Sequence, residues 1–247
     1  MTVNLLRAAR SAAPLLQSLW RQESVVLLAG LALVLTTWGF VELAEEVVEG
    51  NARTFDERIL RSLRQADDPT RAIGPPWLID AARDVTALGS TAVLLLVVFA
   101  VVGYLFMERK RRAVWFVTVA AGGGLLVSTG LKYLFGRGRP DVVSQLAPVA
   151  TPSFPSGHSM LSAVVYLTLG ALMARLVGRG AVKAYVLSIA LLLTFLVGIT
   201  RMYLGVHYPT DVLAGWSAGL AWALLCWLVA SYLQRHGRIE APGESQR

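Results

Sequence analysis

Three ionisable residues, Arg201, His207 and Asp211, lie between two apolar segments near the end of the chain. Charged groups close to the hydrocarbon of a membrane cost several kcal/mol unless they are paired or solvated, so such groups usually mark function. Pro209 suits the first turn of a helix, which places Asp211 in that turn and His207 just before it. The carboxylate can then reach one ring nitrogen and leave the other free. His207 is therefore predicted to be a nucleophile or a base.

Two earlier stretches carry matching chemistry. Lys132 and Arg139 flank the end of another apolar run, and Ser156-Gly157-His158 directly precedes the next one. Ser156 is predicted to cap the helix that follows. The first turn of a helix offers unpaired backbone N–H groups and the positive end of the helix dipole, which together bind anions. The three stretches combine three cations, two histidines and one carboxylate.

This combination of residues suits a phosphate group. Arginine binds phosphate through a planar fork and lysine through a point charge. Phosphoryl transfer depends mainly on positioning the group and stabilising its charge. One histidine can attack phosphorus while Asp211 holds its tautomer, and the other can protonate the leaving oxygen and later activate water. The sequence contains no cluster of carboxylates of the kind that binds Mg²⁺, so metal-free covalent catalysis is predicted.

The same residues carry a resemblance to the type 2 phosphatidic acid phosphatase (PAP2) superfamily, which covers about residues 85–230. The chain resembles the three signature motifs of that family in order and in spacing: Lys132-x6-Arg139-Pro140, Pro155-Ser156-Gly157-His158 and Arg201-x5-His207-x3-Asp211. One position departs from the family pattern. Thr200 stands where the family usually has serine before the arginine, and threonine keeps the hydroxyl.

The resemblance implies a role for each site residue. His207 is the nucleophile that becomes phosphohistidine, Asp211 is its partner, and His158 is the acid and base. Phosphate binding falls to five residues: Lys132, Arg139, Ser156, Gly157 and Arg201. The family works without a metal, so no cofactor is expected. Arg137, which belongs to none of these motifs, is expected to be an interfacial anchor.

The composition indicates what must position these residues. Of the 247 residues, 55% are hydrophobic, and the mean hydropathy is +0.56, values typical of a polytopic membrane protein. The net charge of +7 is expected to reflect cytoplasmic loops and not nucleic-acid binding. A single cysteine, Cys226, lies in an apolar run and is expected to be a buried small hydrophobe.

The apolar runs predict an all-α fold with six transmembrane helices. The predicted spans are residues 25–41, 86–107, 113–135, 159–176, 184–200 and 211–233. Gly122-Gly123-Gly124 in the third span is expected to allow close helix packing. The six spans form one membrane domain, 25–233, preceded by an amphipathic segment on the membrane surface, 1–24, and followed by a tail, 234–247.

Residues 42–87 are the only long polar segment inside this domain and are predicted to be an extracytoplasmic helical loop. Apolar residues at helical spacing predict an amphipathic helix over 54–65, with Thr54 as its N-cap. Gly74-Pro75-Pro76 breaks the helical pattern, and a second short helix is predicted over 78–85. The pattern leaves open whether the loop is a lid over the site or a plain connector.

Basic residues predict the orientation. Thirteen of the 23 Lys and Arg residues fall in the two tails and in alternate loops on one side, which the positive-inside tendency assigns to the cytoplasm. Both termini are then cytoplasmic. Residues 136–158 and 200–211 are then both on the outer face. In a bacterial inner membrane this is the periplasmic face.

A site at the outer edge of the bilayer favours a lipid phosphate as the substrate, because a head group can enter sideways between helix ends. Undecaprenyl diphosphate, phosphatidic acid and phosphatidylglycerol phosphate are the candidates, and recycling of undecaprenyl diphosphate is the leading hypothesis. The bilayer and this lipid are the expected partners. The sequence predicts no oligomeric state.

Three alternatives remain. A transporter also carries intramembrane charges, but it spreads them over several helices near the midplane, and no inverted repeat is detectable here. A binding protein without catalysis is expected to lack His158, His207 or Asp211. A phosphotransferase passes the phosphate to an acceptor other than water, and the sequence does not separate it from a hydrolase.

Overall fold

The computed structural model describes residues 2–147 and 151–235, with side chains for 23–147 and 151–234. These residues are almost entirely helical and contain no strand, only an isolated antiparallel bridge between Arg64 and Ala72. The described helices, in chain order, are α1 (Thr2–Val48), α2 (Arg53–Ser62), α3 (Pro76–Ala87), α4 (Thr91–Met107), α5 (Arg111–Phe135), α6 (Gly157–Leu176), α7 (Gly180–Tyr203) and α8 (Pro209–Arg235). The predicted all-α fold is confirmed.

Five segments in the described part of the chain are long and apolar enough to cross a membrane. They are Glu23–Val48, Arg111–Phe135, Gly157–Leu176, Gly180–Tyr203 and Pro209–Gln234. The helix α4 passes the same test only together with α3, from which it is bent by 44°. The described part of the chain therefore has five candidate spans, or six if the bent pair counts as one, as expected for a multi-pass membrane protein.

The break between α3 and α4 corrects the prediction of a continuous second span over 86–107. The Ser90 side chain accepts a hydrogen bond of 3.3 Å from the Val93 amide, so Ser90 caps a new helix. Gly89 and Ser90 mark this break in the sequence, but the predicted span begins at residue 86, five residues before α4. The first span also ends later than predicted, because α1 continues to Val48.

The polar segment folds into the two predicted short helices. The helix α2 begins after Ala52, which makes no side-chain capping bond, so the prediction of Thr54 as N-cap is wrong. Leu60 of α2 is fully buried and packs with Val143 and Tyr208 beside the ends of α7 and α8. The Tyr203 hydroxyl, at the end of α7, donates a 2.7 Å hydrogen bond to the Ile73 carbonyl. The segment therefore packs onto the helix ends that carry the predicted site.

The helix α6 packs between α7 and α8. Two glycines of α8 allow the closest approach: a Cβ at Gly215 would lie 2.7 Å from the Ser156 carbonyl oxygen, and one at Gly219 would lie 2.6 Å from the Met160 carbonyl oxygen. In the predicted glycine triplet, Gly123 makes room for the Trp222 ring, whereas a Cβ at Gly122 would meet nothing within 4 Å. The triplet thus contributes only in part to helix packing.

Two predicted segments lie mostly outside the residues whose side chains the structure describes. The amphipathic face of 1–24 depends on side chains outside the described ones, although the backbone is helical from Thr2. Most of the predicted tail, 234–247, follows the last described residue.

Candidate active site

The predicted site residues lie at the same end of four helices. Lys132 is in the last turn of α5 and Arg201 in the last turn of α7, while His158 and Asp211 are in the first turns of α6 and α8. Residues 136–156 and 204–208 connect these ends and bring in Arg139, Ser156 and His207. All eight predicted residues therefore belong to one region.

His207 and Asp211 form the buried centre of this region. Only 1% of His207 is exposed, and Asp211 is fully buried. The His207 Nδ1 lies 3.4 Å from Asp211 Oδ2, and the same oxygen accepts a 2.9 Å bond from the Tyr208 amide. The other ring nitrogen, Nε2, lies 3.3 Å from Nη1 of Arg139.

These partners select one tautomer of His207. A carboxylate only accepts hydrogen bonds and a guanidinium only donates them, so Nδ1 carries the proton and Nε2 keeps its lone pair. Burial lowers the pKa of His207 well below its ordinary value, and the charges of Arg201, Arg139 and Lys132 lower it further. The ring is therefore neutral at pH 7, with its Nε2 lone pair facing the cations.

Two of the three predicted cations, Lys132 and Arg139, are held by main-chain carbonyls. Lys132 Nζ donates a 2.7 Å bond to the Pro152 carbonyl. Arg139 donates to the Thr151 carbonyl through Nε at 2.8 Å and to the Val206 carbonyl through Nη1. Burial lowers the pKa of Arg139, but an arginine stays charged at neutral pH. These neutral acceptors fix the side chains without cancelling their charge.

Arg201 is the most buried cation of the predicted set, at 3% exposure. Its Nη1 donates a long bond of 3.3 Å to the Thr86 hydroxyl of α3, and its Nε has no hydrogen-bond partner. A buried donor without a partner is costly. Its guanidinium is therefore poorly satisfied by the protein and suited to an anion.

The start of α6 supplies backbone donors beside Lys132. The Ser156 side chain accepts a 3.4 Å bond from the Ser159 amide, which confirms the predicted cap. A Cβ at Gly157 would come 3.1 Å from Lys132 Cε, so glycine lets the lysine lie against the helix start. His158 follows in the same turn, half-buried, with its ring against Gly89 in the break between α3 and α4.

Two residues of the site were missed by sequence reasoning. Arg137 is no interfacial anchor: its side chain is 16% exposed and bonds to Asp211 Oδ1 at 2.6 Å and to Asp56 Oδ2 at 2.8 Å. Burial lowers the pKa of Arg137, but Asp211 and Asp56 outweigh this effect and raise it. The position of Asp56, four residues before the buried Leu60 on α2, was the available signal. The predicted loop is thus not a plain connector, since it contributes a carboxylate to the site.

The charges of this region come mainly from lysine and arginine. Among the residues that the structure describes, no three His, Cys, Asp or Glu side chains come together in a group that could hold a metal ion.

Comparisons with known proteins agree with this geometry. A model of the PAP2 superfamily matches residues 112–235. Phosphatidylglycerophosphatase B of Bacillus subtilis is 37% identical over 194 residues, which are 78% of this chain and 90% of that protein. Decaprenylphosphoryl-5-phosphoribose phosphatase of Mycobacterium tuberculosis is 32% identical over 151 residues, 58% of this chain and 76% of that protein.

A solved structure has the same fold. The crystal structure of a transmembrane PAP2 type phosphatidylglycerolphosphate phosphatase from Bacillus subtilis superposes with a TM-score of 0.75 at 31% identity, over 82% of this chain and 98% of that one. The three motifs, their common position at one end of the helices and the match over half of the chain lead to one conclusion: this chain belongs to the PAP2 superfamily.

Proposed function

We propose that this protein is a membrane phosphatase that removes the terminal phosphate from a lipid phosphate or diphosphate, through a phosphohistidine at His207. The observation that carries the proposal is the position of His207, between the Asp211 carboxylate at 3.4 Å and the Arg139 guanidinium at 3.3 Å. The relatives named above support the substrate class, because both are phosphatases of lipid-linked phosphates.

In the first proposed step, the His207 Nε2 lone pair attacks phosphorus. An N–P bond forms and the bond from phosphorus to the leaving oxygen breaks, while protonated His158 gives that oxygen its proton. The imidazole gains a positive charge, which Asp211 stabilises through Nδ1–H. Lys132, Arg139 and Arg201, with the Ser156 hydroxyl and the Gly157 backbone amide, balance the charge on the phosphoryl oxygens.

In the second step, water attacks phosphorus and the N–P bond breaks. His158, now neutral, takes a proton from the water, and His207 returns to its neutral form. Inorganic phosphate leaves, and the protonation state of His158 is restored for another cycle. These steps need no metal, so we propose that the activity persists in EDTA.

The proposed substrate is a lipid whose phosphate reaches the ends of the helices at the membrane surface. The loops and tails at the opposite ends of the helices carry most of the lysine and arginine residues. This distribution supports a position for the site at the outer face, with both termini in the cytoplasm. Undecaprenyl diphosphate, phosphatidic acid and phosphatidylglycerol phosphate all present such a group. Direct competition among the three lipids in one detergent assay ranks them.

The test is phosphate release by the purified protein in detergent with excess EDTA. His207→Ala is expected to lose activity completely and to form no acid-labile phosphoprotein, whereas wild type forms it. His236→Ala, a histidine outside the three motifs, is the matched control and keeps full activity. Activity retained by His207→Ala contradicts the nucleophile assignment. Phosphate recovered on an added alcohol instead of in solution identifies a phosphotransferase.

A further inference from the structure

We infer that Asp56 and Arg137 are positioning residues that act on the nucleophile through Asp211. This inference rests on the proposed function, because it assigns a task to groups behind His207. Four side chains are connected in series by polar contacts. Asp56 lies 2.8 Å from Arg137, Arg137 lies 2.6 Å from Asp211, and Asp211 lies 3.4 Å from His207. We call this series of four side chains the Asp56 relay.

The two oxygens of Asp211 have separate tasks in this geometry. Oδ1 accepts from Nη1 of Arg137, whereas Oδ2 accepts from the Tyr208 amide and faces His207 Nδ1. A carboxylate bonded at both oxygens cannot rotate about its Cβ–Cγ bond. Arg137 therefore directs Oδ2 at the imidazole, and a fixed acceptor at Nδ1 leaves the lone pair on Nε2, where it is needed.

Arg137 is itself held in place on two sides. Its guanidinium carbon stands 4.3 Å from the centre of the Tyr208 ring, and its Nη2 donates to Asp56. Its Nη1 also donates to the Thr210 hydroxyl at 2.9 Å. The planar fork thus spans two carboxylates, a geometry that lysine cannot reproduce.

Asp56 serves the charge of the site as well as its shape. An arginine paired with Asp211 alone would neutralise the carboxylate that must stabilise the imidazolium. Because Asp56 is a second, fully buried carboxylate on the same guanidinium, Asp211 keeps its negative charge available for His207. The pair Asp56–Arg137 is neutral, and the pair Asp211–His207 becomes neutral when the N–P bond forms.

Asp56 also fixes the start of the helix that carries Asp211. Its Oδ1 accepts a 3.0 Å bond from the Thr210 amide and its Oδ2 a 2.6 Å bond from the Thr210 hydroxyl. Asp56 therefore caps α8 from another helix, in the position where a negative charge complements the helix dipole. A purely structural role for Asp56 is the competing explanation, and it predicts lost stability without a specific effect on the chemical step.

The experiment compares Asp56→Asn, Arg137→Lys and the control Glu57→Gln, each as the full chain in detergent. Glu57 neighbours Asp56 on α2 but pairs with the exposed Arg53 and Arg61. The relay predicts that kcat and the rate of phosphoenzyme formation fall about 10- to 100-fold in both relay variants, the size of a lost charge-assisted hydrogen bond. KM stays within about twofold, and Glu57→Gln matches wild type.

A double variant separates positioning from stability. If Asp56 acts through Arg137, then Asp56→Asn adds little to the kcat loss of Arg137→Lys, whereas independent effects multiply. A folded Asp56→Asn or Arg137→Lys protein with wild-type kcat overturns the relay, and so do multiplicative effects. Arg137→Lys tests the relay from its other end if Asp56→Asn does not fold. Failure of wild type to release phosphate from any of the three lipids would instead refute the proposed function.

Discussion

The Ser156 amide donates a 2.9 Å hydrogen bond to the main-chain carbonyl of Asp211. This bond joins the N-terminal ends of α6 and α8, and so it ties the second motif to the third through backbone alone. His158 follows Ser156 by two residues, and His207 precedes Asp211 by four. The relative position of the two histidines therefore depends on how closely α6 and α8 approach each other.

Gly215→Ala tests that dependence. The added Cβ would lie 2.7 Å from the Ser156 carbonyl oxygen and 2.9 Å from Ser159 Cβ, so the two helix starts must separate. Overpacking of this kind costs about 1–3 kcal/mol of stability. We expect a lower melting temperature and a loss of phosphatase activity of about tenfold or more in the protein that remains folded.

Gly122→Ala is the matched control for that variant. A Cβ at this position meets nothing within 4 Å, and alanine is the better helix former by about 1 kcal/mol. Melting temperature and activity are expected to equal or exceed those of wild type. Equal behaviour of the two alanine variants would show that the approach of α6 and α8 does not control the site.

The pH dependence of stability tests the neutral state of His207. Its pKa in the folded protein is well below 6.5, chiefly through burial, whereas the ring in the unfolded chain titrates near its ordinary value. As pH falls below about 6.5, the unfolded chain therefore binds a proton that the folded protein does not, and the free energy of unfolding decreases. Thermal unfolding in detergent between pH 7.5 and pH 5 measures this decrease.

His207→Asn removes the titrating ring, so the free energy of unfolding of this variant is expected to decrease less between pH 7.5 and pH 5. Other groups contribute equally to both proteins, so the difference between the two curves isolates His207. Parallel curves for wild type and His207→Asn would mean that His207 binds a proton as readily in the folded protein as in the unfolded chain.

Arg64→Met tests whether Arg64 holds the C-terminal end of α7 in place. Arg64 is 4% exposed and donates to the Tyr203 carbonyl at 3.0 Å and to the Ser144 carbonyl at 3.2 Å. Methionine fills similar space but leaves these carbonyls without a donor, at a cost of about 1–3 kcal/mol. We expect a lower melting temperature and reduced activity, because the same helix end carries Arg201. Arg61→Met, at an exposed position on α2, is the control and should change neither.

Single cysteines test the proposed orientation. In a Cys226→Ala background, Arg58→Cys and Arg179→Cys place one thiol at an exposed position on opposite sides of the proposed bilayer. A membrane-impermeant maleimide applied to intact spheroplasts is expected to label position 58 and to spare position 179 until the membrane is broken. Labelling in the reverse order would place the site on the cytoplasmic side.

Local sequence was sufficient for much of the site. Polar residues in apolar surroundings stand out, and Pro209 and Ser156 mark helix starts by rules that involve only neighbours in the chain. The helix starts at 157 and 209 were predicted on this basis, as was the approach of Asp211 to one nitrogen of His207 across a single turn. The resemblance to known motifs then supplied roles that spacing alone left open.

The sequence by itself therefore determined the class of fold and the residues around His207, because these follow from hydropathy and from contacts within a few residues. Only the tertiary structure decided the 44° bend between α3 and α4, because Gly89 and Ser90 mark a break in the helix but not its angle. It alone also brought Asp56 to Arg137 and to the start of α8, since Asp56 and Thr210 are 154 residues apart. The role of a buried charged residue depends on the group with which it pairs, and no local sequence pattern identifies a partner that far away in the chain.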